Sequence, residues 1–385
     1  MIKKVLIALT HGGLNSVAEF PYLLEQAGIE VTFIGENRLK CSIGRGYSHW
    51  ITSSNNADEI ITDIAKLFMA NDHAYDWVIL GQDSLLRALY NSPITINLKT
   101  RIGPIGNAHH ISILGSKCNN AQFCGRNDIP VPPFSVCNTL EEIHAAARAI
   151  GFPVIVKVDH SVASDGTFKC TSPDDIALHS PLFRGTRFLV EKFIAGEQIR
   201  LDPLYLNGKL IACSAGIVTE TVNDGFGVAT RRKAHATAPY EAMLNKLGAG
   251  LELNGFMSMG LLRDTQTGEV YLFEIDCRPN PWPPYGKFIG ADFTAALKDY
   301  YSNPSFSNIP YLSIDNGAMI TILWRDLPYI MRKAKIGHLL GWLTNRHKCW
   351  RLIPWHDPRL LIYWMMQICC KGFGFISKKI SAPTR

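Results

Sequence analysis

No two of the ten cysteines are spaced C-x-x-C, and they form no regular frame along the 385 residues. Scattered thiols in so long a chain read as reduced, with no structural zinc. Long apolar runs are also missing, and none reaches the ~20 residues that cross a bilayer. At the amino terminus, MIKKVLIALTHGG has an apolar core of only Val5–Leu9 and no small-residue cleavage site. It therefore reads as a first strand ending in a Gly-containing turn, not as a signal peptide. No GxGxxG follows that strand, so a dinucleotide fingerprint is lacking. No nucleic-acid module is recognisable, and no nucleic acid is expected as a partner. Acids are scarce in one segment. Residues 323–385 hold twelve Lys or Arg and two Asp, a balance of +10 that leaves −4 for the rest of a chain totalling +6. Five of the eight tryptophans share that segment.

What is present is the composition of an ordinary folded protein, 47% apolar and 19% charged, long enough for two or three domains. Over residues 1–110 short apolar runs (VLIALT, VTFIG, WVILG) alternate with helical patterns, among them one from Ala18 to Gly28. Strand, helix, strand in this rhythm predicts a parallel sheet with helices on its faces. The prolines at 130, 132 and 133 mark a linker. Thr139 and Glu142 then form a T-x-x-E capping box for a helix stopping at Gly151. PVIVKV follows as a strand, and Lys157 within it needs an acidic or phosphate partner. His160–Cys170 is rich in small residues and reads either as an anion-embracing loop or as a plain turn. Arg187–Ile217 opens as a strand and ends as a hairpin at Asn207-Gly208. Its charges Glu191, Lys192 and Glu197 either face a cleft or form a solvated edge. Residues 238–254 predict a helix. GFMSMGLLRD and EVYLFEID then form two β segments joined by TQTG. The second delivers Glu274 and Asp276, two acids that a period of two places on one strand face.

Taken in order, the Pro-containing linker, GFPVIVK, the small-residue loop, LVEKFIAGEQ and LFEIDCRPNPW resemble the ATP-grasp superfamily over roughly residues 1–300. The likeness is to carboxylate–amine or thiol ligases, with an ATP-binding domain like that of carbamoyl-phosphate synthase or D-alanine ligase. It implies an α/β chain, α+β in its ATP-binding part. A Rossmann-like pre-ATP-grasp domain (1–110) would precede a two-lobed ATP-grasp domain (111–310), with a small lobe at about 127–190 and a large lobe at about 191–310. A basic, Trp-rich helical extension (311–385) would follow. The implied activity is ATP-dependent: a carboxylate becomes an acyl phosphate and is coupled to an amine, releasing ADP and phosphate. Lys157 and Lys117 would contact ATP phosphates, although the usual acid before the latter is Ser116 here. Ser161, Asp165 and Gly166 would belong to the loop over the phosphates. Glu191, Lys192 and Ile194 would form the adenine hinge, and Glu197 would bind the ribose. Glu274 and Asp276 would hold Mg2+, or Mn2+ in its place, and Arg278 would contact the γ-phosphate or the substrate carboxylate. Lys157 and Arg278 are thereby the catalytic candidates.

One departure from that pattern concerns the metal. The family's further acid on the preceding strand falls here on Met259 or Gly260, and Asp264 sits at the following turn. A single ion held by two carboxylates, water and phosphates is the expectation. An ATP-binding pseudoenzyme or regulatory protein, docked on a membrane surface by its basic tail, is the alternative. Arg231 and Arg232 fall where a substrate-facing base is often placed, and suit a carboxylate or phosphate as well as a solvated run. Trp282 and Tyr285 would line an acceptor pocket or pack on the sheet. The tail reads either as a peripheral contact with an acidic membrane or as helices packed on the core with a basic outer face. The expected partners are a small-molecule carboxylate and an amine. A cytoplasmic monomer or homodimer is expected, in the peripheral reading at the inner face of the membrane.

Overall fold

The computed structural model of the chain describes residues 3–11, 14–161, 166–183, 187–223, 226–302, 310–333 and 335–380. Asp165, expected in the phosphate loop, lies outside them. Near the amino terminus, β1 (Lys3–Ala8), β2 (Ile29–Gly35), β3 (His49–Thr52) and β4 (Trp77–Leu80) form a parallel sheet in the order β3-β2-β1-β4. Alternation decides its packing: Leu6 and Ala8 join one apolar cluster, while Val5, Ile7 and Leu9 join another. Both faces are therefore covered, as parallel sheets require. The edge strand β3 was not anticipated from its sequence.

A second sheet is antiparallel, with β5 (Phe134–Cys137), β6 (Val154–Val158), β7 (Thr167–Cys170) and β8 (Phe188–Lys192) in the order β5-β8-β6-β7. Thr139 caps the helix Leu140–Ile150 through the Glu142 N–H, and Gly151 ends it at φ +87°. That helix lays Ile143, Ala146 and Ala147 on Val154, Val156 and Val190.

The third and largest sheet runs β14-β13-β9-β10-β11-β16, with β12 beside β9 and β15 beside β10. Its strands are β9 (Gly196–Leu206), β10 (Lys209–Asn223), β11 (Phe226–Ala234), β12 (Gly255–Phe256), β13 (Ser258–Asp264), β14 (Val270–Asp276), β15 (Tyr311–Leu312) and β16 (Met319–Thr321). Asn207 and Gly208, both at positive φ, turn β9 into β10. Between β13 and β14 the register slips: Gly260 faces Glu274, but Leu261 faces Leu272. Phe273 is thus the extra residue of a β-bulge. Leu272 and Ile275 both reach the core, while the Phe273 ring lies under Lys157 and Arg200 on the other side.

The carboxyl-terminal segment is helical at Leu323–Lys333, Ile336–Leu343 and Pro358–Ile380. Trp324, Trp342 and Trp364 are buried, in one cluster with Trp282 and Tyr285. Packing on the core is therefore what these aromatics do. The expected basic outer face is only partly so: Arg346, Lys348 and Arg359 are exposed, but from there to residue 370 the exposed residues are Ile362, Met365, Met366, Cys369 and Cys370. No helix is long and apolar enough to cross a membrane among the described residues.

Candidate active site

The antiparallel four-stranded sheet and the β13–β14 edge of the large sheet face each other across a cleft. Lys157 reaches over from β6. Its Nζ donates to the Phe273 carbonyl at 3.1 Å and pairs with Glu191 Oε2 at 2.5 Å. Both side chains are under 10% exposed, at 9% and 5%. This is the acidic partner that a buried lysine requires. Glu191 thereby meets Lys157 with its side chain, and its backbone pairs with both β5 and β6.

Lys117 comes from a different element, the first residue of the helix Lys117–Arg126. Its ammonium donates to Ser161 O at 2.5 Å and Ser161 Oγ at 2.8 Å. Burial lowers its pKa, and Lys157 adds to the fall, while Glu274, Asp159 and Asp276 pull the other way. These groups thus share one electrostatic neighbourhood. Ser116 caps the Lys117 helix and donates to both oxygens of buried Asp159, at 3.1 and 3.0 Å. Asp159 also accepts from the Cys118 and His160 amides and lies 3.6 Å from Arg187. The acid missing beside Lys117 in sequence is therefore supplied in space by Asp159. Ser161 and Gly166 close the base of the loop: the Val158 N–H donates to Gly166 O at 2.7 Å, and Ser161 Oγ to Val158 O at 2.8 Å.

On β14 the two acids point to the cleft, 27% and 22% exposed. Each already has an arginine. Glu274 Oε2 accepts from Arg200 Nη1 at 2.6 Å. Asp276 lies 3.5 Å from Arg278, whose Nε donates to Asp83 Oδ1 at 2.6 Å. Burial alone would raise the Glu274 carboxyl, but Arg200, then Lys157 and Arg278, outweigh it and hold it below the ordinary range. Burial and the charge of Glu274 push Asp276 up to about 7. The pair is thus short of positive charge at Asp276, a place a divalent ion suits. Among the described residues no cluster of three or more His, Cys, Asp or Glu could hold a metal unaided. The donor set fits one magnesium carried in with phosphates, which is how that ion is ordinarily bound.

Gly260, directly opposite Glu274, explains the lost acid physically. A Cβ there would meet the Phe273 ring at 2.5 Å and Arg200 Nη1 at 3.1 Å. The space is filled by an aromatic ring and a guanidinium. Arg200 was not singled out from sequence, nor were Asp83 and Asp159. A charged residue inside the strand run of β9 was the available signal. Asp264 accepts from the Gln266 and Thr267 amides in its turn, away from the acids.

The remaining expected residues fall into two groups. Ile194 is buried just beyond β8, and Lys192 is exposed. Glu197 pairs with Arg263 at 3.2 Å on the same edge of the sheet. Arg231 and Arg232, in contrast, do not act as a pair. Arg231 is clasped by both oxygens of Asp326 on the carboxyl-terminal helix, at 2.9 and 2.7 Å. It is therefore a structural tie, which takes Arg231 out of the expected arginine pair. Arg232 turns to Asp202 at 2.7 Å and stacks 4.1 Å above the Trp282 ring. Trp282 and Tyr285 line the small recess at this spot together with Ser214 and Ile289.

No protein-family profile matches the chain. It is 28% identical over 168 residues to phosphoribosylamine–glycine ligase of Agrobacterium fabrum, covering 42% of this chain and 39% of that protein. It is 23% identical over 184 residues to carbamoyl-phosphate synthase of Methanobrevibacter smithii, covering 45% and 48%. The chain thus matches less than half the length of these curated relatives. Among solved structures, N5-carboxyaminoimidazole synthetase from Staphylococcus aureus with ADP superposes with a TM-score of 0.63 at 14% identity, over 87% of this chain and 86% of that one. The biotin carboxylase domain of Hydrogenobacter thermophilus 2-oxoglutarate carboxylase, a dimer with MgADP, ADP and bicarbonate, superposes with 0.61 at 17% identity, over 81% and 73%. The Aspergillus clavatus synthase with ADP and 5-aminoimidazole ribonucleotide gives 0.61 at 16% identity, over 83% and 81%. The chain shares its fold with these solved structures.

Proposed function

We propose that the chain is an ATP-dependent carboxylate–amine ligase. A carboxylate attacks the γ-phosphate of ATP and becomes an acyl phosphate; an amine then displaces phosphate, leaving ADP as the other product. The observation that carries this reading is the meeting of Lys117, Lys157, Glu274, Asp276 and Arg278, from separate stretches of chain, on one cleft. Phosphoryl transfer depends on positioning and on charge stabilisation, and this set supplies both.

Each residue then has a task. Lys117 and Lys157 neutralise phosphate oxygens, with Glu191 holding Lys157 in place. Ser161 and Gly166 stand beside the phosphates, with Asp165 a candidate for the same site. Ile194 packs on the adenine, backbone from Glu191 to Ile194 meets its edge, and Glu197 turns to the ribose. Glu274 and Asp276 are the residues that would hold magnesium, which supplies positive charge to the phosphates when bound. Arg278, braced by Asp83, orients the attacking carboxylate. Beside it Arg232 and Arg325 crowd together. Burial lowers Arg232 to about 10, against Asp202 and with Arg200 adding to the fall. Burial takes Arg325 to about 9, helped by Arg232 and Arg278. With Arg232 already matched by Asp202, the guanidinium of Arg325 is the charge left to suit an anionic substrate, of the class to which the ribonucleotide in the Aspergillus clavatus structure belongs.

Glu274→Ala tests the reading. ADP formation with a panel of carboxylates and amines should fall by ~10^3-fold or more, with circular dichroism unchanged. Unaltered turnover would overturn it. A second reading, nucleotide binding without turnover, draws on one observation: both acids already carry arginine partners. Wild-type protein that binds ATP yet yields no ADP with that panel would establish it instead.

A further inference from the structure

Among the described residues, ten of the seventeen exposed large apolar side chains fall between Met331 and Met366. They are not scattered. Ile336, Leu339, Leu340 and Leu343 stand at i, i+3, i+4 and i+7 on one helix, all exposed, with Ile336 at 69% and Leu343 at 65%. Trp342 alone of that helix is buried. The next long helix repeats the plan. Leu360, Trp364 and Ile368 face inward, while Ile362, Met365 and Met366 face out. Between the helices Trp350 and Trp355 expose their rings, yet their indole N–H groups donate inward to the carbonyls of Trp342 and Trp350. Their polar atoms are satisfied and their apolar bodies are left outside. Patches of this kind mark a docking surface.

We propose that this face docks on an anionic lipid surface. Charge selects the occupant. Exposed Arg346, Lys348 and Arg359 accompany the apolar stripes, and the one acid between residues 336 and 370, Asp357, is buried. Two copies meeting through this face would set like charges together, whereas acidic headgroups complement them. Helices with an apolar outer stripe, tryptophans and basic neighbours lie in the interface plane and do not span it.

Vesicle flotation of the full chain tests this, with phosphatidylcholine alone and with phosphatidylglycerol added. Binding should be confined to the anionic vesicles, weaken with salt, and shift Trp emission to the blue. Leu340→Glu/Met366→Glu should cut binding by ~tenfold or more, with circular dichroism unchanged. Arg346→Glu/Lys348→Glu should remove the preference for phosphatidylglycerol. No binding to either vesicle would overturn the proposal. So would sedimentation showing a dimer that the same apolar variants dissociate, since a second copy would then be the occupant.

A different observation carries a second inference, which rests on the ligase reading. Arg200 fills the space opposite Glu274, where Gly260 leaves no acid. It is held by Glu274 at 2.6 Å and lies over the Phe273 ring, 5.3 Å from its centroid. We infer that this guanidinium stands in for a second metal, a fixed positive charge facing the terminal phosphate, so that the chain takes one divalent ion per nucleotide. Mn2+ counted by electron paramagnetic resonance with ADP present should give one ion per chain. Arg200→Met should lose the preference for ATP over ADP in binding by ~tenfold or more, and Arg200→Lys should restore part of it. Two Mn2+ ions in the wild type would overturn this inference while leaving the ligase reading intact. One ion in a protein that never forms ADP would uphold it and end that reading.

Discussion

The cleft wall and the carboxyl-terminal helices are opposite kinds of surface. In the wall, charged side chains are paired with one another: Lys157 with Glu191, Glu274 with Arg200, and Arg278 shared between Asp83 and Asp276. In the helices, apolar side chains are under-partnered, with Leu340 and Met366 each more than half exposed. The difference teaches what each surface awaits. A wall of fixed charges is organised before its ligand arrives, so the ligand meets dipoles that need no rearrangement. An uncovered apolar stripe is complete only when something covers it.

The comparison breaks first at Glu274, whose loss should abolish ADP formation as described above. The next largest effect belongs to the buried pair. Glu191→Ala removes the acidic partner of buried Lys157, at a cost of ~3–5 kcal/mol. Urea unfolding should show a lowered midpoint at unchanged slope. Lys157→Met/Glu191→Leu should recover most of that stability and still fail to bind ATP. If the double variant bound ATP normally, the lysine would be scaffolding and not part of the site.

A smaller effect sits where the two regions meet. Tyr285 of the Pro-rich wall donates its hydroxyl to Glu19. Burial raises the Glu19 carboxyl from 4.5 to about 7, against the Tyr285 bond and Lys287, with Asp357 adding to the rise. The folded state therefore binds more protons than the unfolded state between those values. Stability must fall as pH rises through that window. Asp276, also raised to about 7, contributes a dependence of the same sign, so Glu19→Gln should flatten the curve by its own share, about 2–3 kcal/mol. Thermal midpoints across pH 5 to 8 measure it, and identical slopes for both proteins would refute it.

How much of this could be read in advance follows the same division. The acids of β14 and Lys157 were legible because each breaks an apolar strand run. The helix at Thr139 and the hairpin at Asn207-Gly208 carried local turn and capping chemistry. Arg200 stayed hidden, since only the pairing of β9 with β13 sets it beside Gly260. Asp83 and Asp159 reach the site from distant segments. Phe273 looked like an ordinary alternating residue, and only the slipped register makes it a bulge. The four residues of β3 were too few and too exposed to announce a strand. For the tail, periodicity could not choose a face. IGHLLGWL is apolar almost all round, and an outward stripe has the same spacing as an inward one.

The smallest expected effect is also the sharpest test of the contrast. Leu343→Ser removes an apolar side chain that is 65% exposed. Such a change should alter stability by no more than ~0.5 kcal/mol and leave ADP formation untouched. Trp342→Ala, one residue earlier, empties a buried site whose indole N–H donates to Asp326 at 2.7 Å. It should cost ~3–5 kcal/mol. Asp326 also clasps Arg231, so that loss should spread to β11. Neighbouring positions with unequal costs are what a helix with one buried residue requires. Equal costs at 342 and 343 would mean that the outer stripe is covered in solution, and the contrast between the two surfaces would disappear.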